Sequence, residues 1–286
     1  MSDKVQVLVL RAAGINCDRE TEEGFRMAGA EPFSVHVNRL KADASPLDHA
    51  DILVIPGGFS YGDSIAAGTI LASELRHGLR EPLARFVAGG KLVLGICNGF
   101  QTLTKAGLLP GFEPFEDPPR ATVTFNESDR YEDRWVAMRV ESGLCPLFPE
   151  GHILEMPVGH GEGRFVAHRE VIERLEAAGQ IVLRYVDREG KTTGYPWNPN
   201  GSVDHIAGIC DPTGRIVGLM PHPDRHLHPY NHPRWTRDGL QETADGLAVF
   251  SRAVRYARER RQGGTSPPPG SKEGEPTGLR KERVRT

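Results

Sequence analysis

Cys97 lies between two glycines, in Gly95-Ile96-Cys97-Asn98-Gly99, directly after an apolar run and before a helical pattern. Flanking glycines admit a sharp strand-to-helix turn, the shape of a nucleophile elbow with cysteine in the place of serine. Such a turn puts the sulfur at a helix N-terminus, where the dipole favours a thiolate. It also aims the N–H of Asn98 at the position where an oxyanion would form. A buried structural cysteine satisfies the same five residues equally well.

A thiolate that attacks a carbonyl needs a base, and a histidine oriented by a carboxylate is the usual solution. The chain has 11 histidines. The best placed is His222, in Val217-Gly218-Leu219-Met220-Pro221-His222-Pro223-Asp224, where an apolar run again ends in turn residues. Asp224 is two residues on, across a stiffening proline, and can reach the imidazole Nδ1. A loop histidine with a solvated aspartate is the competing reading. A third segment, Pro56-Gly57-Gly58-Phe59-Ser60-Tyr61-Gly62-Asp63, also follows an apolar run. Its paired glycines let the backbone approach a ligand and offer a second N–H to an oxyanion, or else make a plain turn.

These three segments need a scaffold that gathers strand ends. Strands are expected at Val5–Leu10, Phe33–Val37, Asp51–Ile55 and Leu92–Gly95, alternating with helices at Asp18–Ala28, Ile65–Arg76, Pro82–Ala88 and from Phe100 to Ala106. Doubly apolar strands alternating with helices predict an open, mostly parallel sheet with helices on both faces. Reactive groups in such a sheet gather at the carboxyl ends of its strands. Beyond Pro110 the pattern changes to strands at Ala121–Phe125, Trp135–Val140, Ile153–Val158 and Ile181–Val186, with one short helix at Glu170–Ala178. Ile206–Cys210 and Ile216–Met220 flank Asp211-Pro212-Thr213-Gly214 and read as a hairpin. These are expected to add antiparallel structure to one domain, 1–262, closed by a long amphipathic helix at Gly239–Arg261. The basic segment 263–286 has too few bulky apolar residues to offset its ordering entropy and is expected to be disordered.

Composition narrows the function classes. The chain has 286 residues, 38% hydrophobic and 26% charged, with a net charge of −3. That balance gives no electrostatic argument for nucleic acid or an anionic membrane as partner. The first apolar run is too short for a secretory signal, and no run approaches a membrane span. Four scattered cysteines without a C-x-x-C pair fit a reducing cytoplasm.

With its segments taken together, the chain resembles the class I (triad-type) glutamine amidotransferases, whose fold is flavodoxin-like. Within them it resembles the glutamine amidotransferase subunits of phosphoribosylformylglycinamidine synthase. The resemblance runs from about Val5 to Arg261 on Gly14–Thr21 (GINCDRET), Pro56–Asp63 (PGGFSYGD), Gly95–Gln101 (GICNGFQ), Gly159–Phe165 (GHGEGRF), Tyr195–Ser202 (YPWNPNGS) and Gly218–Asp224 (GLMPHPD). It implies Cys97 as nucleophile, His222 as base and Asp224 as the triad acid, where the family usually has glutamate. It implies that Gly57, Gly58, Asn98 and Gln101 help hold glutamine, and that His160 and Glu162 lie in a loop near substrate or partner. It also implies that L-glutamine is hydrolysed to glutamate and ammonia. The ammonia would pass to a synthetase subunit that uses ATP to convert formylglycinamide ribonucleotide to the amidine, with a small bridging subunit as a further component. The sequence has neither G-x-x-x-x-G-K-[ST] nor a G-x-G-x-x-G after a strand, so no cofactor is expected on this chain, and ATP and Mg are expected on the partner.

Three rivals are weighed against this reading. An α/β-hydrolase orders its triad nucleophile, acid, histidine, whereas the acid here follows the histidine. A metal protein would use His222, His226, His228, His232 and Asp224, but Pro223, Pro229 and Pro233 break any helix that would space them, so no metal site is expected. An interaction protein would use the arginines of 252–261, which a helix C-terminus favours in any case.

Overall fold

The computed structural model describes residues 3–263; the basic tail expected to be disordered lies, apart from Gly263, outside them. The chain begins with the expected alternation. Strand β1 (Gln6–Arg11) leads into helix α1 (Asp18–Met27), and β2 (Glu31–His36) is followed by two short helices, α2 (Val37–Ala42) and α3 (Ser45–His49). Next come β3 (Ile52–Ile55), α4 (Thr69–Gly78), α5 (Arg80–Ala88), β4 (Leu92–Ile96) and α6 (Asn98–Lys105). Every residue of β3 and β4 is buried, which is why these strands read as continuous apolar runs.

The second half contributes β5 (Ala121–Phe125), β6 (Glu132–Val140), β7 (Ile153–His160), β8 (Glu162–Ala167), α7 (Arg169–Ala177) and β9 (Ile181–Val186). The hairpin β10 (Ile206–Cys210) and β11 (Ile216–Leu219) is antiparallel as expected, and α8 (Trp235–Asp238) and α9 (Asp245–Arg261) follow it. Nine strands form one sheet in the order β2-β1-β3-β4-β11-β10-β9-β6-β7. From β2 to β11 all neighbours are parallel. From β11 to β7 all are antiparallel. The parallel part has the 2-1-3-4-5 order of a flavodoxin-like sheet, with β11 as the fifth strand. Strands β5 and β8 form a separate two-stranded sheet.

Four expectations are corrected. Gly159–Phe165 is not a loop: His160 ends β7 and Glu162 begins β8. Its glycines hid a strand whose partner, β5, lies about forty residues upstream. The last helix starts at Asp245 and not at Gly239, where φ is +85°. It starts there because Asp245 accepts a 2.7 Å bond from the Glu155 N–H, while a Cβ on Gly246 would stand 2.0 Å from the Pro223 carbonyl oxygen. The helix expected from Ile65 starts at Thr69, after Gly68 at φ +74°. Lastly, the arginines at the end of α9 do more than suit a helix C-terminus. Arg260 and Arg261 both bind the buried Asp51 carboxylate, at 3.2 and 2.6 Å, which also accepts the Gln6 N–H at 2.8 Å.

Backbone contact fixes how α6 meets the sheet. A Cβ on Gly99 would come 1.9 Å from the Ile55 carbonyl oxygen, and one on Gly95 would come 2.7 Å from the Gly99 backbone. These glycines are therefore spacers between helix and strand as well as turn residues. Gly99→Ala is expected to cost more than 3 kcal/mol, about the scale of severe strain and overpacking, or to prevent folding. Gly29→Ala, also at a helix end with φ +84° but with nothing within 4 Å, is expected to cost only about 1 kcal/mol. Urea unfolding of the two variants checks the comparison.

Candidate active site

The carboxyl ends of β1, β3, β4 and β11 converge on one point. Cys97 follows β4 with φ +51° and ψ −103°, a backbone state that costs about 1–3 kcal/mol for a residue with a side chain. The surroundings hold it there: its N–H donates to the Leu219 carbonyl at 2.8 Å, and its carbonyl accepts from the Gln101 N–H at 3.1 Å. The thiol is buried, and its sulfur lies 3.8 Å from the Gly159 carbonyl oxygen. As the first residue of α6, Asn98 has a backbone N–H with no acceptor inside its helix.

His222 follows β11. Its N–H donates to the Pro157 carbonyl on β7 at 2.8 Å, and its Nδ1 lies 3.2 Å from Asp224 Oδ1. Both side chains are buried, and His222 Nε2 and Asp224 Oδ2 find no hydrogen-bond partner among the described residues. Burial works against a charged imidazole here, but Asp224 and then Cys97 work for it and raise its pKa well above the ordinary value. The carboxylate thus steadies a proton on the ring, which an acid–base group must both take and give back. The ring packs against the turn after β3, where a Cβ on Gly57 would stand 2.6 Å from His222 Cε1. Gly58, at φ +144°, is pressed against the Gly14–Asn16 backbone and forms a bridge with Ile15.

The remaining expected residues form a buried polar wall. Asn98 donates to Gln101 Oε1 at 2.9 Å and to Asp63 Oδ1 at 3.2 Å, and its own Oδ1 accepts from the Ser60 N–H at 3.3 Å. Gln101 Nε2 donates to the Glu162 carbonyl, so both ends of its amide are taken by the protein. The Glu162 carboxylate accepts the Ala67 N–H at 3.0 Å and ties down the segment before α4. Asp63, facing Glu162, has its carboxyl pKa raised, by burial first and then by that neighbour. His160 binds Asn126 Oδ1 through Nδ1 at 3.1 Å, and its ring fills the space that a Cβ on Gly163 would occupy, 2.2 Å away.

The histidines of 222–232 do not share one ligand point. His226 and His232 set their rings on Trp135, at 4.9 and 4.8 Å between centroids, and both engage Glu155. Among the described residues, the one group of three metal-capable side chains is Cys17, His222 and Asp224, whose donor atoms lie within 4.8 Å of one another.

A thiol at an elbow, with a carboxylate-bound histidine from the neighbouring strand, has the chemistry for transfer of an acyl group through a thioester. Comparison with known proteins gives the family. The CobB/CobQ-like glutamine amidotransferase domain model matches residues 4–257. Phosphoribosylformylglycinamidine synthase subunit PurQ of Dehalococcoides mccartyi is 46% identical, over 90% of this chain and 99% of that one. The chain belongs to the PurQ family. The same subunit of Archaeoglobus fulgidus is 40% identical, over 89% of this chain and 97% of its own length. A chain in the structure of PurLQS from Thermotoga maritima superposes with a TM-score of 0.67 at 31% identity, over 88% of this chain and 99% of that one. The fold is that of a class I glutamine amidotransferase, as expected.

Against this PurQ background, the sequence reading missed three neighbours of the centre. Cys17 sits at the start of α1, beside His222, and lies 3.4 Å from Arg225 Nη2. Tyr131 and Arg225 stand over Gly159, where a Cβ would come 3.0 Å from the phenol oxygen and 3.3 Å from Arg225 Nη1. Cys17 lies within Gly14–Thr21, one of the segments that carry the resemblance. No local signal marks Tyr131 or Arg225, which arrive by tertiary contact.

His160 gives a test of the wall. Its pKa is lowered to about 3, by burial first and then by His222. The unfolded chain, with an ordinary histidine near 6.5, therefore binds the proton first as pH falls. The stability from keeping His160 neutral is present above 6.5 and is lost between 6.5 and about 3. By pH 5 this amounts to about 2 kcal/mol. His160→Gln is expected to remove that part of the acid sensitivity, read as a smaller difference in urea unfolding free energy between pH 7 and pH 5.

Proposed function

We propose that this chain hydrolyses L-glutamine through Cys97, His222 and Asp224, as the glutaminase subunit of phosphoribosylformylglycinamidine synthase. The observation that carries the reading is the buried His222–Asp224 pair, 3.2 Å apart, beside the strained Cys97 elbow in a chain of the PurQ family. His222 takes the thiol proton, and the Cys97 sulfur attacks the glutamine amide carbon. The carbonyl oxygen gains the negative charge and is met by the N–H groups of Asn98 and Gly58, as preorganised donors would meet it. The intermediate collapses by breaking its C–N bond. Ammonia leaves with the proton held by His222, and a glutamyl thioester remains on Cys97. Water, deprotonated by the same imidazole, then attacks the thioester and releases glutamate and the thiol. Asp224 orients the ring and stabilises it when charged. Asp does here what Glu usually does in the family, and the buried 3.2 Å contact supports the shorter arm in that role.

In this reading Gly57 gives the imidazole room, and Gln101, engaged at both ends, fixes Asn98 and the start of β8 around the substrate. His160 and Glu162 brace the wall behind it. Ammonia passes to an ATP-dependent synthetase subunit that makes the amidine of purine biosynthesis, with a small bridging subunit completing the complex. ATP and Mg belong to that partner. No helix among the described residues is long and apolar enough to cross a membrane, and the four cysteines are free and buried, which fits a reducing cytoplasm.

In the reconstituted complex, Cys97→Ala is expected to abolish glutamine-dependent amidine formation while sparing formation from ammonium chloride at high pH. Loss of both activities, or retention of the first, would sink the reading; amidine and ADP are the readouts. Asp224→Asn is expected to lower glutamine-dependent kcat by about 10³–10⁴-fold, less than His222→Ala. Equal losses would mean that the carboxylate does more than orient.

A further inference from the structure

We propose that Cys17, His222 and Asp224 form an inhibitory binding site for a zinc ion, which shuts the centre by seizing its histidine. Cysteine sulfur, imidazole nitrogen and carboxylate oxygen are the three donor types that zinc prefers. Around a tetrahedral zinc such atoms stand roughly 3.3–3.6 Å apart. The three donors here already lie within 4.8 Å of one another, and His222 Nδ1 and Asp224 Oδ1 are 3.2 Å apart. Adjustments of about 1 Å close the set, leaving a fourth position for water.

The backbone builds this proximity from three distant segments. The Cys17 N–H donates to the Gly57 carbonyl at 3.2 Å, which pins the start of α1 to the turn after β3. Gly57 lacks the Cβ that would otherwise stand 3.3 Å from Cys17 Sγ and 3.4 Å from His222 Nδ1. Its absence lets the imidazole, whose Cε1 such a Cβ would meet at 2.6 Å, pack beside the sulfur. Zinc would take the place of the proton between His222 Nδ1 and Asp224 Oδ1, and Asp224 Oδ2 has no hydrogen-bond partner among the described residues; all three residues are at most 2% exposed.

Arg225 stands against the site: its Nη2 lies 3.4 Å from Cys17 Sγ, and as a cation it opposes the ion. Its side chain reaches the site from a partly exposed position and can turn outward. On binding, the Cys17 thiol proton and the His222 Nδ1 proton both go to solvent, so zinc binds more weakly as pH falls. With its imidazole held by the metal, His222 can no longer take the nucleophile's proton.

Cys97 and His222 could themselves trap zinc, so the test is run without the nucleophile. Zinc alone is titrated into full-length Cys97→Ala protein against a chromophoric chelator, with circular dichroism confirming the fold. One zinc per chain is expected. Adding Cys17→Ser should weaken the affinity by about tenfold or more. Absence of zinc binding in folded Cys97→Ala, or unchanged affinity on adding Cys17→Ser, overturns the proposal. In a second arm, the ratio of glutaminase rates with and without zinc is compared between the wild-type chain and Cys17→Ser, each against its own metal-free rate. Inhibition should be reversed by EDTA in the wild type and need about tenfold more zinc in the variant. Equal sensitivity overturns the site. The binding arm needs no activity, so failure of the glutaminase reading and failure of the zinc site are separate results.

Discussion

The approach of α6 to β3, with Gly99 against the Ile55 carbonyl, is the constraint on which the rest of the centre depends. It sets the height of Cys97 above the sheet and forces its backbone into a strained state. The Leu219 carbonyl at the end of β11 holds that state through the Cys97 N–H. The same strand then delivers His222 within a few residues. Cys97 and His222 are thus placed by two parallel neighbours, β4 and β11, whose register is fixed along their whole shared length. A rigid sheet edge holds such groups more closely than a loop would.

The antiparallel half of the sheet is more than an added layer. The end of β7 gives the Pro157 carbonyl to the His222 N–H and the Gly159 carbonyl to the Cys97 sulfur. It also gives His160, kept neutral by burial. The return strand β8 gives Glu162, which binds Ala67 and, through its carbonyl, Gln101. Each buried polar group that these contacts satisfy would otherwise carry a desolvation cost of about 1–3 kcal/mol. The wall is therefore expensive to open and keeps the centre buried, the condition in which charges act most strongly on one another. His222 follows the same logic with opposite sign: alone it would be neutral, and Asp224 and Cys97 reverse that.

The sequence by itself determined the parallel half of the fold, the hairpin and the elbow. It did so because those features are local: fully buried strands read as apolar runs, and an elbow needs glycines at fixed positions around one residue. It singled out His222 and Asp224 but left a solvated loop as the competing reading, and burial of the pair at 3.2 Å was decided by the tertiary structure. It misread Gly159–Phe165, because a strand rich in glycine and paired with β5 carries no period of its own. It misread the start of α9, because Asp245 and Gly246 answer to Glu155 and Pro223. Only the tertiary structure decided that Gln101 is engaged at both ends, that Arg260 and Arg261 clamp Asp51, and that Cys17 and Arg225, 208 residues apart, meet beside the imidazole. Those contacts join distant segments, and no spacing along one chain encodes which buried atoms a folded neighbour will bring within reach.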